Sequence, residues 1–509
     1  MNITLRPRLL AAVSIAALSI PMAGHASVKN VIMMISDGAS WGTWDMASYW
    51  EFGEKGRQVY DRFDVKLGMT TQPLNTSSVP TYDNIPRISY DPAKAWDGTI
   101  NADGSIAGYE YIKQGYTDSA AAGTALSTGQ KTYNNAISVD NFANPLRMIT
   151  DGFKEADRSV GVVTSVPLSH ATPAAFGAHN ISRNHYGELA HEMVFGGKLD
   201  LIMGTGHPEF HHDSVRLDAP VYAAETGRGG GYIPESVWEN LRHDPNPAMT
   251  LIETRADFEA LASGSLSVEG RLIGVPQVHG TLQQSRRDSV VGLDSSTPSG
   301  VAYNTNVPTL ATMTTGALNH LGKNENGFFV MIEGGAVDWA AHANDTGRII
   351  EEQIDFNHSV VNAVNWVEAN SNWDETMLLV LTDHGNGMPM GPNSDVIPFE
   401  PIQNLGAGVL PGVTWHYGTH TIENTLLWAH GAGAQALFDQ VIGTDEWLVS
   451  LLGHNTTGAY IDNTGLYGAI SQAAGLPTPA PVPLPAGAWL MIAGLGALAA
   501  LRRRRHLAA

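Results

Sequence analysis

The 509-residue chain contains no cysteine and carries only 29 lysines and arginines against 50 aspartates and glutamates. Without thiols there is no disulfide, no thiolate nucleophile and no thiolate ligand, so any zinc must be held by histidine and carboxylate. Six of the 29 basic residues stand in the two ends, which hold no acid. Residues 27–475 therefore carry 23 basic against 50 acidic residues, a formal charge of −27. So acidic a body is unsuited to nonspecific nucleic-acid binding, whose affinity rests on neutralising phosphates, and no nucleic-acid-binding surface is expected. Any anion it handles must meet positive charge brought from elsewhere. Internal repeats of fixed period are also missing. What is present, 43% hydrophobic and 16% charged residues, is the balance of a globular body able to bury a sizeable core.

Both ends read differently from the body. Residues 1–26 place Arg6 and Arg8 before an apolar run from Leu9 to Ile20 and close on small residues. That is the pattern of a secretory signal peptide cleaved after Ala26, with a first buried helix as the alternative. At the other end a proline-rich spacer, 476–486, leads into the 18 uncharged residues Leu484 to Leu501, followed at once by Arg502 to Arg505. The run is long enough to cross a bilayer, and the arginines would keep the far end cytoplasmic and the body outside. The order resembles the PEP-CTERM sorting tails of Gram-negative bacteria, in the Val-Pro-Leu-Pro-Ala variant spanning Val482 to Ala486. The resemblance implies an exosortase-like peptidase as partner, removing 487–509 as a transmembrane sorting tail. A permanent inner-membrane anchor is the alternative. Either way an exported protein is expected, in the periplasm, at the cell surface or in the extracellular matrix.

Four strongly apolar runs between the ends read as buried strands: 31–36, 160–164, 328–333 and 377–382. Helical patterns separate them, over Ser119 to Leu126, Leu146 to Ala156, Thr309 to Leu321 and Ile349 to Ala369. The alternation predicts an α/β fold with a central, mostly parallel sheet flanked by helices. The body is expected to span 27–475. Within it, 206–305 breaks the rhythm with turn-rich sequence and one short helical pattern at 254–264, and reads as an inserted irregular subdomain over the sheet. A second irregular stretch runs from 391 to 419.

The chemistry collects at the carboxyl ends of the runs, where open α/β sheets bind ligands. The first run ends in Asp37, the third in Glu333 and the fourth in Asp383-His384, while the second leads to His170 and Thr172. Asp338 and His342 are four apart, which on a helix puts both on one face, able to grip one metal. Each piece alone has a commoner use as a loop or surface polar group. Their recurrence at one sheet edge points to a metal centre. Asp118-Ser119, ahead of small helix-forming residues, reads as a helix N-cap or as a nucleophile on the same helix end.

These residues bring a family with them. The blocks VIMMISDGAS, YTDSAAAGTALSTGQKTYNNAISVD, SHATPAAFGAHNISR, FFVMIEGGAVDWAAHA, LLVLTDHG and GTHTIENTLLWAHG resemble, in order, successive blocks of the alkaline phosphatases, over roughly residues 28–435. The resemblance implies an alkaline phosphatase-like fold and metal-dependent hydrolysis of small phosphate monoesters, with two zinc ions and one magnesium ion per chain. It implies that Ser119 is the nucleophile that becomes phosphoserine and that Arg183 clamps phosphate. Asp338, His342 and His420 match ligands of the first zinc, and Asp37, Asp383 and His384 those of the second. Thr172 and Glu333, sharing Asp37, match the magnesium ligands. The family is often dimeric, which makes a homodimer an expectation.

Formal charge agrees with these roles. Four carboxylates, three divalent metals and one guanidinium leave a site of +3, which a serine alkoxide and a monoester dianion cancel. A serine hydroxyl is a poor nucleophile at neutral pH, which is the deficit a bound metal makes good. His170 and Trp339, candidates to support the site from behind, are Asp and Lys in the best-known bacterial form; some marine bacterial enzymes resemble the His/Trp combination. His416 rivals His420 as a ligand, and the block around His420 favours the latter. His179, His185, His211, His212, His358 and His430 match no ligand block. The alternatives are a phosphodiesterase or related ester hydrolase of the same superfamily, or an inactive surface or matrix protein on this scaffold. Mass spectrometry of protein released from the cell surface is expected to find no peptide from 487–509; an intact C terminus in that pool refutes removal of the tail.

Overall fold

The computed structural model describes residues 28–476 apart from 87, 451, 452, 454 and 455. The expected signal peptide, the proline-rich spacer beyond Leu476 and the sorting tail lie outside the described residues. Among the described residues no helix is long and apolar enough to cross a membrane.

Eleven strands form one sheet. In chain order they are β1 (Asn30–Ser36), β2 (Val65–Thr70), β3 (Ser159–Pro167), β4 (Leu201–Thr205), β5 (Thr250–Ile252) and β6 (Leu272–Gly274), followed by β7 (Phe328–Gly334), β8 (Thr376–Leu381), β9 (Thr425–Gly431), β10 (Val441–Thr444) and β11 (Ala459–Asp462). Their spatial order is β10-β11-β2-β9-β8-β1-β7-β3-β4-β6-β5. All run the same way except β9 and β10. The four apolar runs of the sequence are β1, β3, β7 and β8, and they lie side by side at the centre. Strands covered on both faces need apolar residues at every position, which is why they read as continuous runs. Successive side chains alternate between two cores: Ile32 and Met34 join a cluster with Trp44, Phe356 and Val360, whereas Val31, Met33 and Ile35 join one with Leu126, Phe153 and Phe176. The fold is an α/β sandwich with helices on both faces, as the alternation of elements predicted.

Register decides what meets at the edge. Ile35 pairs with Glu333 on one side and Leu381 on the other, so Asp37 and Asp383 emerge at one level, just above Glu333. Thr164 of β3 also pairs with Glu333. Strand β9 enters from the opposite end, and its amino terminus lies at the carboxyl edge of β8, with Leu427 beside Leu381. The chain just before β9 therefore reaches the same edge, where His420 pairs with Asn386 in a two-residue ribbon.

Helix limits differ from the sequence reading where caps decide them. The helix expected from Leu146 starts at Ile149, because the Asp151 carboxylate accepts the Met148 amide (2.9 Å). The helix expected from Ile349 starts a turn earlier, at Thr346, capped by Asp345 (Thr346–Asn370). The stretch 206–305 supplies β5 and β6 to the sheet edge as well as irregular loops. Strands of three residues carry no periodicity from which they could be read.

Further along that stretch, 283–286 is tied to the long helix Thr346–Asn370. The Arg286 guanidinium donates to Glu351 (2.7 Å), and both side chains are fully buried. It also donates to the carbonyls of Ala302 and Val301. Arg286→Met is expected to strand the Glu351 charge and cost about 3–5 kcal/mol of stability, read as a lower denaturant midpoint. The double change with Glu351→Leu should recover most of the loss.

Candidate active site

Asp118 and Ser119 divide the two roles that their position offers. The Asp118 carboxylate caps the helix Ser119–Thr128, accepting the Ala121 amide (3.0 Å). Its other oxygen accepts the Asn135 amide and the Arg183 guanidinium, each at 3.0 Å. Ser119 is thereby released from capping, and its hydroxyl lies 3.2 Å from His384 Nε2. The whole helix is buried, and its small residues permit that. A Cβ on Gly123 would lie 3.0 Å from Ala175 Cβ, so glycine eases the close approach of the helix to the turn that carries Thr172.

Two buried groups can each hold a cation, Asp37–Asp383–His384 and Asp338–His384–His420, with donor atoms within 4.8 Å of one another in each. His384 belongs to both. His342, half exposed, adjoins the second: its Nε2 is 3.1 Å from His420 Nε2 and 3.4 Å from Asp338. The three imidazoles are oriented alike. The Nδ1 of His342, His384 and His420 faces the carbonyl of Gly418, Gly385 and Thr117, at 3.1, 3.3 and 2.8 Å. A carbonyl can only accept, so each Nδ1 holds the proton and each Nε2 turns a lone pair to the centre, the arrangement of metal-binding histidines.

Glu333 and Thr172 adjoin the first group on the β3 side. One oxygen of Glu333 accepts the Thr164 hydroxyl. The other, with Asp37 Oδ1, Asp383 Oδ2 and Thr172 Oγ1, is buried without a hydrogen-bond partner. Buried polar atoms are rarely left so, and hard oxygen donors are what zinc and magnesium take alongside imidazole. The residues present thus fit divalent cations.

Charge within the centre is frustrated in the same sense. Burial, then Asp383, raises the Asp37 carboxyl well above its ordinary range. Burial, then Asp338, raises Asp383 to about 7. Burial also raises Glu333. Asp338 is the exception: burial pushes it up, but His420, His342 and His384 outweigh that and hold it low. His420 is raised because Asp338 overcomes burial, and His384 is lowered by burial and by His420. Burial and Arg183 depress His170 to about 3, so that ring is neutral. Arg183 keeps its charge because Asp118 overcomes burial.

A cleft of about 500 Å³ opens over this centre, lined by Ser119, His170, Arg183, Gln284, Ser285, Asp338, Trp339, His342 and His420. Trp339 packs against His170, ring centroids 5.7 Å apart. Every expected site residue therefore reaches one sheet edge. His416 does not compete with His420, because its Nε2 meets the Ser394 hydroxyl at 2.6 Å. His179, His358 and His430 pair with Glu192, Glu51 and Asp64 away from the centre. His211 and His212 belong to neither cation-holding group.

Sequence reasoning missed four contributors. Asn386 donates to Asp338 Oδ1 (2.6 Å), and Thr164 holds Glu333. Both follow or end apolar runs already marked as strands, so a polar residue at the strand end was the available signal. Gln284 and Ser285 come from the turn-rich stretch, where no pattern marked them. Gly38 is a special case of backbone need, with φ +67° and a Cβ that would lie 2.6 Å from Asp338 Oδ1.

Two groups able to hold cations beneath a serine at a helix amino end are compatible with metal-assisted hydrolysis. A family model described as alkaline phosphatase matches residues 99–407, and the chain belongs to that family. Alkaline phosphatase 4 of Bacillus subtilis is 30% identical over 285 residues, covering 55% of this chain and 51% of the relative. The chain spans about half the length of the first curated relatives it matches. Among solved structures, a cold-active alkaline phosphatase from Shewanella sp. aligns over 88% of this chain and 100% of its own, with TM-score 0.58 and 21% identity. A variant of the alkaline phosphatase of the bacterium TAB5 is described with magnesium in its M3 site. It aligns over 89% of this chain and 99% of its own, with TM-score 0.54 and 20% identity.

In metal-free protein the folded state keeps on Asp383 a proton that the unfolded chain releases at its ordinary value of 3.8. This group's contribution to stability therefore falls as pH rises from about 4 to about 7. The denaturant midpoint of chelator-treated protein is expected to drop across that window, and added zinc to raise it more at pH 7.5 than at pH 5. Asp383→Asn should flatten the slope and remove most of the zinc effect.

Proposed function

We propose that the protein is an exported, metal-dependent phosphomonoesterase that works through a phosphoserine on Ser119. The observation that carries the reading is the Ser119 hydroxyl at a helix amino end, 3.2 Å from a histidine shared by two buried cation-holding groups. Asp338, His342 and His420 would hold one zinc, Asp37, Asp383 and His384 the second, and Thr172 and Glu333, with Asp37, a magnesium. When bound, these ions supply the positive field that a −27 body lacks and make oxygen nucleophiles available near neutral pH.

The chain's own residues account for the rest. The amides of Ser119 and Ala120, not taken by the Asp118 cap, point at the end of the helix where an anion is favoured. Arg183, held charged by Asp118, offers donors in the flat geometry that phosphate oxygens accept. Ser119 Oγ attacks phosphorus as the ester oxygen leaves with its bonding pair and takes a proton. Water then attacks the phosphoserine, releasing inorganic phosphate and restoring the hydroxyl. A monoester dianion balances the site's formal charge, whereas a diester leaves it at +1, which favours monoesters over the phosphodiesterase alternative. The filled set of ligand positions argues against an inactive surface protein. Export, removal of the tail by an exosortase-like peptidase and a homodimer remain part of the proposal.

The purified, metal-loaded protein is expected to hydrolyse a nitrophenyl phosphate monoester at alkaline pH much faster than the bis-ester or the sulfate. Chelation should abolish turnover, and zinc plus magnesium restore it. Ser119→Ala should lower kcat on the order of a thousandfold or more and remove the covalent phosphoenzyme. Wild-type protein with metals that turns over none of the three esters refutes the reading.

A further inference from the structure

Of the nine residues lining the cleft, four are assigned neither to the nucleophile, to the cations nor to the phosphate: His170, whose ring packs on Trp339, and the three that face the rest of the cleft, Gln284, Ser285 and Trp339. We propose that these three form a subsite for the leaving alcohol, and that it selects phosphate monoesters of sugars. The inference rests on the phosphomonoesterase reading and names the substrate class for it.

Chemistry of the lining excludes other esters. Arg183 is the single lysine or arginine among the lining residues, so the further phosphates of a nucleoside di- or triphosphate meet no cation there. No aliphatic side chain lines the cleft, so a long alkyl or acyl group gains nothing from it. What remains, beside the His170 imidazole packed on Trp339, is one amide, one hydroxyl and one indole. Sugars present this pair of needs: a ring of hydroxyls that both donate and accept, and a C–H face that packs on an aromatic ring.

Gln284 and Ser285 are arranged for such hydroxyls. The Ser285 hydroxyl donates to Gln284 Oε1 (2.8 Å), which orients the amide. The Gln284 Nε2 donors have no partner among the described residues, and the Ser285 oxygen retains acceptor capacity. The subsite is also rigid. Ser285 N donates to Thr281 Oγ1 (2.8 Å), and Gln283 exchanges two hydrogen bonds with the Asn304 backbone, at 2.9 and 3.0 Å. Arg286 is locked on Glu351, and Arg348 donates to the carbonyls of Gln283 and Arg286. Residues on both sides are thus anchored while the two between them face the cleft, which lowers the cost of ordering on binding. Trp339 is half-buried against His170, and the aromatic surface continues through Tyr186 to Tyr232, with successive centroids 6.3 and 5.1 Å apart.

The test is kcat/KM of the full-length, metal-loaded enzyme on a hexose 6-phosphate, adenosine 5′-monophosphate and ethyl phosphate. Wild type is expected to favour the hexose ester over ethyl phosphate by about tenfold or more, through KM. Gln284→Ala should cut the hexose-to-ethyl ratio about fivefold, the worth of one neutral hydrogen bond, with the change in KM. Trp339→Ala should cut it similarly, and Trp339→Phe should restore most of it. Equal loss on both substrates, no wild-type preference for the hexose ester, or a preference for the nucleotide that Gln284→Ala diminishes would overturn the assignment. Failure of wild type on ethyl phosphate itself would instead refute the phosphomonoesterase reading.

Discussion

Mutual repulsion among four buried carboxylates is the constraint on which the rest of this molecule depends. Asp37, Glu333, Asp338 and Asp383 are all at most 5% exposed, at one sheet edge. Such a cluster is costly unless protons or cations neutralise it. The fold makes no attempt to separate them. Hydrogen-bond register between β1, β7 and β8 brings three of them to nearly one level, and the helix Ala336–His342 adds the fourth. Three of them are instead oriented by neutral donors, Thr164 on Glu333, Asn386 on Asp338, and the Gly38 and His384 amides on Asp383, while Asp37 Oδ1 is left without a partner. Neutral donors fix direction without cancelling charge, so the site keeps its demand for cations.

The same logic extends to the anion side. Arg183 is paired through Asp118, which lies one residue before Ser119, so the proposed nucleophile and the proposed phosphate-binding guanidinium are positioned by one carboxylate. Asp118 also satisfies the Ala121 and Asn135 amides, so loop, helix and guanidinium form a single hydrogen-bonded unit. A change at Asp118 therefore disturbs a helix cap, a loop and an arginine together, although Asp118 itself does no chemistry in the proposed reaction.

Most of the centre was legible from the chain because parallel strands advertise themselves. A strand buried on both faces must be apolar throughout, so the first acid or histidine beyond the run marks the sheet edge. Asp37, Glu333 and Asp383-His384 were found that way. His420 was not: its strand runs antiparallel, so the informative residue precedes the run, and only likeness to the family singled it out over His416. Gln284 and Ser285 lay beyond reach altogether, because loops anchored by distant partners such as Glu351 leave no local periodicity.

The chain alone determined the class of fold, the exclusion of thiol chemistry and the residues at four strand ends. These follow from composition and from patterns repeated over a few residues, which neighbours in space do not alter. Only the tertiary structure decided that Asp118 is the cap and Ser119 the free hydroxyl, that His384 belongs to both cation groups, and that Gln284 reaches the cleft. Each of these depends on register and on contacts between residues far apart in the chain, the Ser119–His384 contact alone joining positions separated by 265 residues. Local sequence carries no information about distances of that kind until the sheet has set them.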